Sequence, residues 1–220
     1  MFTGPDIVTD GLVLALDAAN VKSYPRSGTA WNDLAGSNNG TLTGGPTFNS
    51  DNGGSIVFDG TNDFIAITDL LASESIGAGT QLTISLWLNC DQYADRMPFS
   101  TGQTGNDRIY YWTQNSVNTW RVGNYTSTTG HGALPPVGTW FNTTLVIDGT
   151  NVIGYLNGVE DYTGSYTSFT TADYATFGKH GTRNEYYFDG KIAVAKIYNQ
   201  VLTATEVLQN YNAQKTRFGL

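Results

Sequence analysis

Ten residues, Gln81 to Cys90 (QLTISLWLNC), put Leu82, Ile84, Leu86 and Leu88 on one side and Thr83, Ser85, Trp87 and Asn89 on the other. A period of two suits a pleated strand, because its successive side chains point to opposite faces; a helix would scatter the same residues around its axis. The pattern recurs in shorter form. Gly11 to Asp17 (GLVLALD) alternates with Leu12, Leu14 and Leu16 on one face, and Arg108 to Gln114 and Trp120 to Tyr125 read as aromatic strands. Phe141 to Ile147 and Val152 to Leu156 flank Asp148–Gly149–Thr150–Asn151, a strong hairpin signal, and Asn157–Gly158 turns the chain again. Ser55 to Asp59 and Phe64 to Thr68 flank Gly60–Thr61–Asn62–Asp63, which also reads as a hairpin, and Tyr174 to Gly178 and Tyr187 to Tyr198 complete the set. About a dozen short strands with closely spaced turns predict an all-β sandwich or barrel. Composition agrees: 26 Gly, 13 Tyr, 10 Phe and 5 Trp serve tight turns and half-buried pleated surfaces. No linker or low-complexity block divides residues 1–220, so one domain is expected.

One helix is signalled, over 203–213, with a tail at 214–220. Thr203-Ala-Thr-Glu206 is a capping box, and Leu202 and Val207 stand where a hydrophobic staple would form. Val207, Leu208 and Tyr211 make one apolar stripe, expected to lie on the edge of the sandwich.

Four segments then carry a resemblance. Gly11–Asp17 (GLVLALD), Trp31–Leu42 (WNDLAGSNNGTL), Gly54–Ile65 (GSIVFDGTNDFI) and Phe188–Asn199 (FDGKIAVAKIYN), followed by the capped helix, resemble the LamG-like jelly-roll domains of the concanavalin A-like lectin/glucanase superfamily. Leu82–Leu88 and Gly138–Gly158, with its Gly-Thr-Trp opening and Leu-Asn-Gly ending, fit the same order. The resemblance implies a jelly roll of two curved antiparallel sheets. The N-terminal pattern and the Arg-Phe-Gly-Leu ending are similar to those of tailed-bacteriophage structural proteins. That similarity implies a non-enzymatic protein of the virion surface, made in the host cytoplasm, that decorates a capsid or forms part of an appendage. Its implied partners are other virion proteins, sister copies in a homo-oligomer, and cell-surface or environmental glycans. A purely architectural cement subunit and a glycan hydrolase are the alternatives.

A retaining glycosidase needs two carboxyl groups about 5 Å apart. Laminarinase-like members of the superfamily supply them as Glu-x-Asp-x-(x)-Glu on one strand. Here Glu74, Glu160, Glu185 and Glu206 are scattered singly, and Glu160 and Asp161 are adjacent, which places them on opposite faces of a strand. The chain is therefore read as non-catalytic. His131 and His180 lie in Gly-flanked stretches outside any zinc-type spacing and read as solvated loop residues. Gly102–Gln103–Thr104–Gly105 reads as a turn, being too short for a phosphate loop.

Glycan binding asks for an aromatic platform with planar polar neighbours. Arg108, Tyr110 and Trp112 share one strand parity with Gln114; Trp87 faces away from its Leu/Ile side, and Trp120 follows on the next strand. These residues are the candidate carbohydrate site, although packing under loops or against a neighbouring subunit accounts for the same residue types. No cofactor is required. Calcium is a candidate, because Asp59, Asn62 and Asp63 crowd one turn and Asp189 begins a late strand; turn formers with Asx hydrogen bonds explain the same cluster. Relatives often carry an acidic residue after the Gly-x-Ile of that late strand, where this chain has Ala193.

The net charge of −8 opposes nucleic acid or an anionic membrane as partner. Cys90, the only cysteine, ends an apolar strand and reads as an inert buried thiol. Residues 1–10 lack the features of a signal peptide, and no apolar run is long enough to insert in a bilayer.

Overall fold

The strand expected at Gln81–Cys90 forms with those bounds and runs through the middle of a sheet. The structure is a computed structural model that describes residues 5–68, 70, 74, 81–102, 109–114, 119–123, 128–165, 174–181 and 183–220. Sixteen strands among these residues, numbered along the chain, divide equally between two sheets in which every pairing is antiparallel. Sheet I holds β1 (Leu12–Asp17), β4 (Thr47–Asn49), β5 (Ser55–Asp59), β7 (Gln81–Cys90), β12 (Trp140–Asp148), β13 (Asn151–Leu156), β14 (Val159–Ser165) and β16 (Asp189–Tyr198). Its spatial order is β14-β13-β12-β7-β16-β5-β4, with β1 also beside β16. Sheet II holds β2 (Ala30–Trp31), β3 (Gly40–Thr43), β6 (Phe64–Thr68), β8 (Arg96–Gly102), β9 (Tyr110–Gln114), β10 (Thr119–Gly123), β11 (Thr128–Ala133) and β15 (Tyr174–Phe177), in the order β11-β10-β9-β8-β15-β6-β3-β2.

The core lies between the sheets. Leu82, Ile84, Leu86 and Leu88 of β7, with Leu145, Ile147 and Val152, meet Phe99, Tyr111, Trp120, Val122 and Phe177 of sheet II. Each such apolar side chain contributes roughly 1.5–3 kcal/mol by leaving water. The Trp120 ring stacks on Tyr111 with centroids 4.8 Å apart and meets Phe141 edge-on at 5.8 Å. Buried Tyr111 cannot leave its hydroxyl unpaired, and it hydrogen-bonds Thr143 of β12 across the core. Cys90 is free and fully buried, and burial pushes its thiol pKa up.

The two tight turns form as expected. Asp148 pairs Asn151 around Gly149 and Thr150, and Asn157 and Gly158 both take positive φ (51° and 77°), the type I′ combination of a two-residue hairpin. Three other expectations are corrected. The 60–63 turn does not make a hairpin: β5 pairs within sheet I and β6 within sheet II, so the turn carries the chain from one sheet to the other. Leu12 does not share a face with Leu14 and Leu16, because a bulge between Leu12 and Leu14 shifts its register and sends it to a separate apolar cluster. The helix, α1 (Ala204–Gln214), lies across the outer face of sheet I rather than on the sandwich edge, with Val207, Asn210 and Ala213 buried and Leu208 exposed. Its capping box is present as read: Thr203 Oγ1 accepts from the Glu206 N–H, and Glu206 Oε2 accepts from the Thr203 N–H. Leu202 and Val207 pack in one cluster. No helix among the described residues is long and apolar enough to cross a membrane.

Candidate functional site

The sandwich has two outer faces, and the polar-side residues of each strand decide what they offer. On sheet I the alternate residues of β7, from Thr83 to Asn89, are all buried. The C-terminal segment covers them. Trp87 is enclosed between the rings of Tyr211 (5.7 Å) and Phe218 (4.1 Å), both nearly parallel to it, and its indole N–H donates to Gln214. The same Gln214 oxygen accepts from Lys196 Nζ at 2.5 Å, and burial lowers that lysine's pKa to about 8. After α1 a 3₁₀ turn, Lys215–Phe218, brings Arg217 back onto the start of the chain. Its guanidinium meets the Asp17 carboxylate at 2.7 Å and donates to the carbonyls of Asn52 and Gly54. Asn210 ties down the N-terminal segment, accepting from the Val8 N–H and donating to the Tyr198 hydroxyl. Trp87 is therefore internal packing and forms no part of an exposed platform.

Trp120 is likewise corrected. It points into the core, so it does not share a face with Trp87 or with any outer residue of sheet II. Arg108 lies outside the described residues. Tyr110 and Trp112 lie on β9, alternating along the strand with Ile109, Tyr111 and Thr113, all of them buried. In register Tyr110 stands opposite Ser100 and Gly123, and Trp112 opposite Arg121. On β10, Trp120 and Val122 enter the core, which leaves Arg121 on the outer face between them.

Part of this outer face carries a loop that the sequence reading missed. Residues 178–181 and 183–188 fold back over β8 and β15: the Lys179 carbonyl accepts from Ser100 Oγ (3.0 Å) and Thr176 Oγ1 (3.2 Å). Two backbone bonds close the loop, Phe188 N–H to Gly178 O and His180 N–H to Glu185 O. Gly181 passes so close to β8 that a Cβ there would stand 2.4 Å from the Thr101 carbonyl oxygen. Lys179 lies 4.3 Å over the Phe64 ring and donates to Asn184; burial lowers its pKa. His180 is buried rather than solvated: its Nδ1 accepts from the Arg183 N–H, and its ring sits 6.1 Å from Tyr186. His131 is on β11, not in a loop.

Tyr186 is the exposed aromatic of this loop, at 41%. Its φ of 59° is a genuine outlier for an aromatic residue, a conformation that costs on the order of 1–3 kcal/mol. Its carbonyl accepts from the N–H of Met97 on β8, the strand that neighbours Trp112 on β9. The order across the sheet is thus the Tyr186 segment, bonded to Met97 of β8, then β9 with Trp112, then β10 with Arg121, the register partner of Trp112. No sequence signal marks a positive φ at Tyr186.

The oxygen cluster is arranged differently from a simple cation cage. Asp59 Oδ1 accepts the N–H groups of Thr61 and Asn62, and Asp63 Oδ2 accepts the Asp59 N–H. Burial raises the Asp63 pKa. Asp189 stands directly opposite Asp59 in register, takes a bond from Gln92 and faces Arg96 Nη2 at 3.8 Å. Arg96 Nη1 donates to the carbonyls of Gly60 and Tyr187, so a guanidinium bridges the turn and the late strand. No three His, Cys, Asp or Glu side chains converge among the described residues. Ala193 sits at a bulge of β16, packed with Trp87 and Phe218. The glutamates are apart: Glu160 on β14, Glu185 paired to Arg183, Glu206 in the cap, and Glu74 accepting from Asn38.

Two antiparallel sheets face to face, closed by a terminal helix, form a concanavalin A-like jelly roll. The Laminin_G_3 family model, of the concanavalin A-like lectin/glucanases superfamily, matches residues 59–208, and the chain belongs to that family. No curated protein matches it. Among solved structures, domain 4 of AbnA, an extracellular arabinanase of Geobacillus stearothermophilus in complex with arabinotriose, is similar at 21% identity and a TM-score of 0.71, over 91% of this chain and 98% of that one. The binding domain of Paraclostridial Mosquitocidal Protein 1 is similar at 16% identity and a TM-score of 0.70, over 93% of this chain and 52% of that one. Trypanosoma rangeli sialidase is similar at 12% identity and a TM-score of 0.72, over 94% of this chain; the chain spans 33% of that protein. At these identities the likeness is one of fold.

Proposed function

We propose that the protein is a non-catalytic carbohydrate-binding module whose ligand lies on the outer face of sheet II, along the line Tyr186, Trp112 and Arg121. The observation that carries this reading is the contrast between the faces. Over β7 and β16 sheet I is roofed by α1 and the 3₁₀ turn, whereas on sheet II the segment bonded to β8 carries an exposed, backbone-strained tyrosine and strands β9 and β10 pair Trp112 with a half-buried Arg121. Sugars offer apolar C–H faces to aromatic rings and hydroxyls to planar polar groups. The dispersed glutamates support binding without hydrolysis, since a retaining site needs two carboxyls about 5 Å apart. The arabinotriose-bound relative supports the fold's suitability for oligosaccharides. The virion setting belongs to this proposal: many copies on one particle would raise the avidity of a weak site.

An oligosaccharide array tests the reading. Hits that vanish in Trp112→Ala and Tyr186→Ala, with unchanged thermal unfolding, are expected. An array without hits, beside stable oligomers, overturns it in favour of an architectural subunit, and release of reducing sugar from a bound glycan overturns the non-catalytic part.

A further inference from the structure

Three arginines of the described structure are already committed to carboxylates. Arg96 faces Asp189 at 3.8 Å, Arg183 faces Glu185 at 3.0 Å, and Arg217 faces Asp17 at 2.7 Å. Arg121 differs. It is half-buried and among the described residues makes no salt bridge; its Nε, like that of Arg96, is buried without a hydrogen-bond partner. A half-buried guanidinium with no carboxylate beside it keeps its charge for an anion from outside. Strand alternation puts the side chain on the outer face, with Trp112 as its register partner. Its charge reaches Tyr162 of the neighbouring sandwich edge, where it works against the rise in phenol pKa caused by burial.

We infer that the ligand is an acidic glycan, a sugar chain bearing carboxylates, and that Arg121 takes one carboxylate while the aromatic residues beside it take the sugar faces. This rests on the carbohydrate reading above and names the class of sugar. With Nε enclosed, the two Nη atoms form the end of the fork that a ligand reaches, and a planar carboxylate matches that pair with two parallel hydrogen bonds. The net charge of −8 argues against a dense polyphosphate in the same place, because a long polyanion meets the repulsion of the whole protein, whereas one carboxylate per sugar meets mainly the local guanidinium.

The experiment compares matched oligosaccharides, oligogalacturonate and oligoglucuronate against their methyl esters and against neutral galactose and glucose oligomers, by calorimetry on the full chain. The acids are expected to bind at least about 10-fold more tightly than their esters, because a charge-assisted bidentate pair is lost on esterification. Arg121→Gln should remove that preference, Arg121→Lys should recover only part of it, and both should unfold at the wild-type temperature. Esters that bind as well as the acids, with Arg121→Gln unaffected and Trp112→Ala inactive, overturn the acidic class while leaving a glycan-binding protein. If a sulfated oligomer binds and no carboxylated one does, the carboxylate assignment is wrong and the guanidinium serves another anion. Absence of binding to every oligomer, acidic and neutral, overturns both readings together.

Discussion

Two tryptophans, Trp87 and Trp112, sit on alternating aromatic strands and look interchangeable in sequence, yet they stand on different outer faces with different fates. Trp87 is sandwiched between Tyr211 and Phe218 beneath the C-terminal segment. Trp112 is on sheet II as the register partner of Arg121, one strand from β8, where the N–H of Met97 bonds the strained Tyr186. The difference is made by residues far away in the chain. Trp87 is sealed in because Arg217 reaches Asp17, Asn52 and Gly54, and so pins the tail on which Phe218 rides. A ring enclosed as Trp87 is stabilises the fold; in the proposed function Trp112 serves the ligand instead.

The comparison breaks most sharply under truncation. Trp87→Ala should destabilise the protein by about 3–5 kcal/mol, since it removes a large ring from a filled layer, and chemical denaturation would show it. Sugar binding by the fraction that remains folded should not change. Arg217→Ala follows, at about 2–4 kcal/mol, because it strands the Asp17 carboxylate and two carbonyls. The sealed face also carries a pH signature. The Lys196 pKa is lowered to about 8 in the folded chain and returns to its ordinary value near 10.5 on unfolding, so between these pH values the unfolded state binds more protons. Stability should therefore rise as pH increases from 8 towards 10, by on the order of 2 kcal/mol. Above that range the buried tyrosines reverse the trend, Tyr198 among them at about 12, because their raised values favour the unfolded state as they ionise. Lys196→Met should flatten the rise between pH 8 and 10 and leave the fall at higher pH; an unchanged rise would remove Lys196 from the explanation. The smallest effect has the opposite sign. Tyr186→Gly relieves the positive φ and should stabilise the fold by about 0.5–1 kcal/mol while abolishing glycan binding, a trade that thermal unfolding and calorimetry would expose together.

Much of the fold was legible because it depends on local periodicity. The Leu82–Leu88 alternation, the Thr203–Glu206 capping box and the Asn157–Gly158 turn each follow from a few neighbouring residues. What failed depends on distant partners. Asp59–Gly60 and Asn62–Asp63 bring the same Asx hydrogen bonds to a hairpin or to a link between sheets, and only the pairing of β5 with β16 and of β6 with β15 decides which. Alternation told that Trp87 faces away from the core but not that residues 211–218 would roof it. Of the candidate platform, Tyr110 and Trp112 share one parity of β9, alternating with buried residues, while Trp120, a candidate from the following strand, turns into the core. Arg121, Tyr186 and buried His180 carried no motif: one is defined by the absence of a carboxylate, one by a backbone angle, one by a loop closing over it.

The central claim is that the outer face of sheet II is the ligand face. Amide chemical shifts followed during titration with an array-positive oligosaccharide test it most directly. The account predicts shifts confined to β8, β9, β10 and the 178–188 loop, with Arg121 and Tyr186 among the most affected and α1 silent. Shifts centred on α1 and Phe218, or on the Asp59–Asp63 turn, would contradict it.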